Sequence, residues 1–281
     1  MKMLVLGDFQ GKFPEKLRKK LRGEEFDLII GVGDYGGIDD WRPWLKEMFK
    51  QIVNSGEYMS AEEYFGKKKL RKIVNKDEKA TKNVLKEINN LGKKVIFVFG
   101  NSDDEWYDYP FAKGMKVKKG RKKFIKDLKN FKDITYGRTE HRGLRFAGFG
   151  GYMDVKANWN KRDGERLERA KERVRRSGRR LNELLRKKID ILVLHYPPKG
   201  IFDIIKDKKN PYNGKSAGID MFRKEILKRK PKIVLCGHMH EYQGAKKLGK
   251  SLVINPGDAE KGKYAVVEIS NEGKIRVRFI K

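Results

Sequence analysis

Short apolar runs alternate along this chain with longer amphipathic stretches. Leu28-Ile-Ile30, Val95-Ile-Phe-Val-Phe99 and Ile191-Leu-Val-Leu194 read as strands. With them go predicted strands at 3–6, 145–149 and 233–236, and a strand-rich end at 251–254, 263–269 and 274–280, where Asn271-Glu-Gly273 is a hairpin turn. Helical periodicity falls at 13–22, 41–54, 61–91 (with breaks at Gly66 and near Asn75), 120–131, 163–188 and 217–230. In the fifth of these, Leu167, Ala170, Val174, Leu181 and Leu184 form an apolar stripe at three- and four-residue steps. Alternating strand and helix predicts a layered α/β fold with parallel strands. The blocks at about 39–92 and 152–188 interrupt the strand rhythm and read as helical insertions in one domain spanning residues 1–281.

Composition narrows the setting. A single cysteine, Cys236, excludes an internal disulfide and suits a reducing compartment. The start, Met-Lys-Met-Leu-Val-Leu-Gly-Asp, turns polar too early for a signal peptide, and no apolar run is long enough to span a bilayer. The expectation is a soluble cytoplasmic protein with no membrane partner. Charge changes the picture more. The net charge is +30, and residues 161–188 alone carry 13 basic and 5 acidic groups. Arg166, Arg169, Arg173, Arg176 and Arg180 lie on that predicted helix as candidate nucleic-acid contacts. Pairs such as Glu165–Arg169 and Glu172–Arg176 would leave most of its charge unmatched, which points to a polyanionic partner, RNA or the ribosome foremost.

In layered α/β folds, ligands gather at the carboxyl ends of strands. Those ends are unusually polar here: Gly7-Asp8-Phe9-Gln10, Gly33-Asp34, Gly100-Asn101-Ser102-Asp103, His195-Tyr196-Pro197 and Gly237-His238-Met239-His240. Three of the chain's four histidines occupy such positions, which predicts a metal site rather than buried core histidines. Two other motifs fail. Gly31-x-Gly33-x-x-Gly36 would set Asp34 against a pyrophosphate, and Gly7-x-x-x-Gly11-Lys12 is one residue short of a P-loop.

The surviving pattern, D-x-[H/Q], G-D, G-N-x-[D/E], H and G-H-x-H in order, resembles the calcineurin-like metallophosphoesterase family, down to the Asn255-Pro256-Gly257 turn. The resemblance implies a layered αββα sandwich of two mixed sheets flanked by helices. It also implies two divalent metal ions, manganese first with iron or zinc as alternatives. Metal one would take Asp8, Gln10, Asp34 and His240; metal two would take Asp34, Asn101, His195 and His238, with Asp34 bridging. Two such ions lower the pKa of a bridging water and clamp both oxygens of an in-line phosphoryl displacement. Asp34, Asn101, Asp103 and His238 are then the candidate catalytic residues.

Two positions depart from the family. Gln10 stands where its members usually have His, and a neutral amide oxygen is the weaker ligand. Ser102 stands where many have the His thought to protonate the leaving group; Asp103 is the candidate substitute. His141 reads as a surface histidine and Cys236 as a small buried side chain. Trp106, Tyr107 and Tyr109 are core by default, although their position after Asp103 would let them stack a base at the site's rim. Two functions follow. One is a metal-dependent phosphodiesterase acting on nucleotide or nucleic-acid phosphodiesters. The other is an RNA- or ribosome-binding protein on the same fold whose catalysis has faded.

Overall fold

Each central strand here is apolar at consecutive positions because both of its faces are covered. In β1 (Lys2–Leu6), Met3 and Val5 point to one side and Leu4 and Leu6 to the other, all fully buried. The same alternation holds in β2 (Leu28–Gly31), β3 (Lys94–Phe97), β7 (Ile191–Leu194) and β8 (Ile233–Leu235). One set of these residues meets between two sheets, where Val5, Ile30 and Ile96 pack with Ile191, Val193 and Leu235. The computed structural model describes residues 1–55, 58–103, 125–154 and 164–281. Elements are numbered over those residues.

The first sheet has the order β12-β11-β1-β2-β3-β4, and the second β5-β6-β7-β8-β10-β9. Here β4 is Phe131–Asp133, β5 Gly137–His141, β6 Leu144–Phe149, β9 Gly244–Leu248, β10 Ser251–Asn255, β11 Tyr264–Ile269 and β12 Ile275–Ile280. Strands β1 to β4 run parallel, as do β6, β7, β8 and β10; β11, β5 and β9 join antiparallel. Both sheets are therefore mixed. Outside the first lie α1 (Glu15–Leu21) and the second half of α4 (Lys67–Asn89), through Leu17, Val84, Leu85 and Ile88. Outside the second lie the end of α5 (Gly164–Leu184) and α6 (Asp220–Arg229), through Leu181, Leu184, Phe222 and Ile226. This is the layered αββα sandwich.

Three strands escaped the periodicity, β4, β5 and β9, and all three touch a sheet edge. Edges are short and polar to discourage further pairing, so Gly137-Arg-Thr-Glu-His141 and Gly244-Ala-Lys-Lys-Leu248 show no apolar run. The helix expected over 120–131 lies partly outside the described residues, and its end is corrected: Phe131 opens β4. Gly66, at φ +72°, does break the helix there. Asn75 does not; α4 runs through it. The break at Gly66 sets off α3 (Ala61–Phe65), which starts on a capping box between Ser60 and Glu63.

Part of each predicted insertion packs on the sandwich itself. α2 (Arg42–Ser55), α3 and the first half of α4 enclose their own small core of Trp41, Trp44, Ile52, Leu70 and Ile73, whereas the second half of α4 is the crossover from β2 to β3. In the same way the end of α5 is the crossover from β6 to β7. Tyr212, in the loop after β7, joins the small core from the far sheet, its ring 6.1 Å from Phe49.

Candidate metal centre

The parallel strands of both sheets deliver their carboxyl ends to one seam, and the chain crosses it by hydrogen bonds. The His238 amide donates to Asp8 Oδ1 at 2.9 Å, and His195 Nδ1 donates to the Val32 carbonyl at 2.8 Å. These bonds join the first sheet's loops to the second's. Ligand residues here adopt backbone that favours glycine: Asp8, Gln10, Asp34 and His238 have φ of 56°, 50°, 57° and 68°. Each such residue costs of order 1–3 kcal/mol and persists only where its surroundings hold it.

Two glycines are needed for the close approach. A Cβ on Gly100 would stand 2.2 Å from Asp34 Oδ1, and one on Gly237 would stand 2.6 Å from Asp8 Oδ2.

The acids and histidines fall into two groups that share one member. Asp34, His195 and His238 offer ligand atoms within 4.8 Å of one another, and so do Asp8, Asp34 and His240. Asn101 completes the first group, its Oδ1 2.9 Å from His195 Nε2. Gln10 Nε2 lies 3.5 Å from His240 Nε2 in the second; turning the amide end for end presents its oxygen there. The structure thus brings together the seven residues expected from sequence as candidate ligands.

Divalent ions fit this donor set. His195 spends its Nδ1 proton on Val32, so in the neutral ring Nε2 is a lone pair facing Asn101 Oδ1 at 2.9 Å and Asp34 Oδ1 at 3.4 Å. With the ring neutral, these three atoms are converging acceptors, an arrangement a cation satisfies, with the backbone carbonyl as the partner that fixes the ring. Oxygen and imidazole donors without thiolate match the divalent ions between manganese and zinc; Cys236 is fully buried behind the site and its thiol is pushed upward by burial.

The histidines of the two groups are shifted in opposite directions. Burial, and then the neighbouring His195, hold His238 down to about 3, so it presents a neutral ring. At His240 burial pulls the same way, but the bond to Asp8 and the carboxylates around it carry it up to about 9.

Asp103 has a different task from the acid expected of it. Its Oδ2 accepts from the Asp34 and Gly100 amides at 2.8 and 2.7 Å, and its Oδ1 from the Tyr35 and Gly36 amides at 2.8 and 2.9 Å. Burial and the charge of Asp34 push its carboxyl up to about 7, while the amides pull it down. A proton there would set a donor against a donor, so Asp103 is a positioning residue for the Asp34 loop. Only the fold reveals this, since the four amides come from two loops far apart in sequence. Ser102 is buried and its amide donates to Asp34 Oδ1 at 2.9 Å. Sequence reasoning missed Val32, whose carbonyl carries no side-chain signal, and Tyr196, whose ring lies 4.0 Å from that of His238.

The remaining candidates lie elsewhere. His141 ends β5 on a sheet edge, beside Lys94. Trp106, Tyr107 and Tyr109 lie outside the described residues. On α5, Arg173 Nε pairs with the buried Asp154 at 2.5 Å, Arg176 Nε with Glu172 at 3.0 Å, and Arg180 stands 3.8 Å over the ring of Tyr136. Arg169 is exposed on the same helix, and the side chain of Arg166 lies outside the described set. The expectation that this helix's charge is mostly unmatched is corrected in part: Glu172 alone engages Arg175, Arg176 and Arg179.

Fold and site together define a metal-dependent phosphate-ester hydrolase. The chain belongs to a family described as metallophosphoesterase, calcineurin superfamily, whose model matches residues 1–278. No curated protein matches it by sequence. Among solved structures, a dimetal phosphatase of Danio rerio aligns with TM-score 0.53 at 11% identity, covering 96% of this chain and 93% of that one. A protein of Thermus thermophilus, TT1561, aligns with TM-score 0.52 at 17% identity over 99% and 97% of the two chains. Both likenesses concern the fold. No helix among the described residues is long and apolar enough to cross a membrane.

Proposed function

We propose that this chain is a manganese-dependent phosphodiesterase acting on nucleotide or nucleic-acid substrates. The observation that carries the reading is the sharing of Asp34 between two ligand groups. When bound, the two ions would supply an activated water and neutralise charge on the phosphoryl oxygens. Asp8, Gln10, Asp34 and His240 would hold one; Asp34, Asn101, His195 and His238 the other. Asp103 fixes the Asp34 loop, and Val32 fixes the His195 tautomer.

Supporting a diester substrate is the lack of an acid at 102 and 103: a buried serine and a carboxylate saturated by amides give the leaving group no proton. Substrates with good leaving groups suffer least from that lack. The net charge of +30 supports an anionic polymer or nucleotide. The test is manganese-dependent turnover of an aryl phosphodiester beside the matching monoester. The reading expects kcat/KM to favour the diester at least tenfold; preference for the monoester would contradict it.

A second reading, an RNA- or ribosome-associated protein with faded catalysis, is favoured by Gln10, a weak ligand in a position that histidine commonly fills. It expects no turnover with any divalent ion and RNA binding that survives Asp34→Asn.

A further inference from the structure

Where α5 lies relative to the metal centre follows from its neighbours. At its carboxyl end, the Leu184 carbonyl accepts from Arg138 of β5 at 2.8 Å. The chain then passes to Asp190, which binds Arg145 near the start of β6. Near the finish of β6, Tyr136 packs its ring 4.8 Å from that of Phe149, and the Arg180 guanidinium covers Tyr136 at 3.8 Å. The helix therefore runs antiparallel to β6 and passes the strand's carboxyl end at Arg180. The helix precedes Arg180 by Gly164–Arg179, about 24 Å along its own axis, with Ala170 buried on its inner face.

That stretch is tied to the site's own loops. Arg173 binds Asp154, in the loop after β6. The same loop receives the Phe99 carbonyl through the Gly151 amide at 2.8 Å, next to Gly100-Asn101, and the Phe149 carbonyl accepts from the His195 amide at 3.2 Å. Along the same stretch a groove of about 500 Å³ is lined by Glu168, Arg169, Glu172, Arg173, Arg175 and Arg176.

We infer that the part of α5 before Arg180 is an arm that receives the phosphates of a polynucleotide strand running past the metal centre. The inference rests on the phosphodiesterase reading and gives its substrate a length: a strand long enough to occupy the centre and the arm together. Arg173 and Arg180 are anchors, spent on Asp154 and Tyr136. Arg175, Arg176 and Arg179 are exposed and gathered on Glu172, at 3.3, 3.0 and 3.3 Å. Arg175 also reaches Glu168 at 4.0 Å, and three guanidinium groups shared between two carboxylates still leave an excess of positive charge, held in place for phosphate oxygens. Exposed pairs of this kind add little to stability.

The experiment is salt-dependent binding of a labelled single-stranded RNA with cleavage-resistant phosphorothioate linkages to the full, manganese-loaded chain. Replacing Arg175, Arg176 and Arg179 together by Glu is expected to weaken binding at least tenfold. It should also flatten the log–log salt slope by about 2, at roughly 0.7 for each phosphate no longer neutralised. Glu172→Gln frees the three arginines and is expected to tighten binding, a result that loss of fold cannot imitate. Turnover of a small aryl phosphodiester should be the same in all three proteins. An unchanged affinity and slope in the triple variant, or weaker binding in Glu172→Gln, overturns the arm. Absent aryl diester turnover in the wild type overturns the enzymatic reading instead, and the binding data still judge the arm.

Discussion

At the scale of single residues, the metal centre is a set of compromises between backbone and ligand geometry. Gln10 is the clearest. It occupies the ligand position beside His240, buried and left-handed, but brings an amide where an imidazole would bind more strongly. Calorimetric titration with manganese should therefore show two unequal steps. Gln10→His should tighten the weaker step by about tenfold or more and leave the other in place; two equal steps in the wild type would contradict the assignment. Asp103 makes an opposite prediction. Asp103→Asn puts an amide group where backbone donors converge, so the fold should lose at least about 3 kcal/mol by denaturant unfolding, since each buried donor left unpaired costs about 1–3 kcal/mol. Stability within about 1 kcal/mol of wild type would refute its positioning task. The seven candidate ligands were legible in the sequence because each lies in a polar motif at the end of an apolar strand, in the order that the family resemblance supplies. The role of Asp103 was not, because its partners Asp34, Tyr35 and Gly36 come from another strand's loop.

At the scale of elements, apolar strands announce themselves and three of the four edge strands do not. β1, β2, β3, β7 and β8 were readable since both their faces are buried; β4, β5 and β9 were not, because an edge strand is kept short and charged. The junction of β6 and β7 gives a prediction at this scale. Asp190 accepts from Arg145 Nε at 2.8 Å and Nη2 at 3.1 Å, and these bonds hold its carboxyl below the usual carboxylate range. A depressed folded-state value means that the pair's contribution is complete above the unfolded value of about 4 and is lost as pH falls through the folded one. Thermal melts followed from pH 6 downward should show Asp190→Asn closing the gap to wild type below about pH 4. A gap that stays constant to pH 2 would contradict this.

For the molecule as a whole, two sheets bring loops from both halves of the chain to one seam, and Asp34 stands where the two ligand groups meet. The alternation of strand and helix made the layers legible, and the motif order made the centre legible. The placement of α5 was not, because an amphipathic stripe says which face packs but not where along its sheet a helix lies. In the proposed function, hydrolysis depends on both groups acting through that shared carboxylate. The most direct test is manganese-dependent turnover of an aryl phosphodiester by the wild type beside Asp34→Asn, with both proteins shown to be folded. Turnover is expected in the wild type, with a loss of at least a hundredfold in the variant. Equal turnover in the two proteins would contradict that dependence.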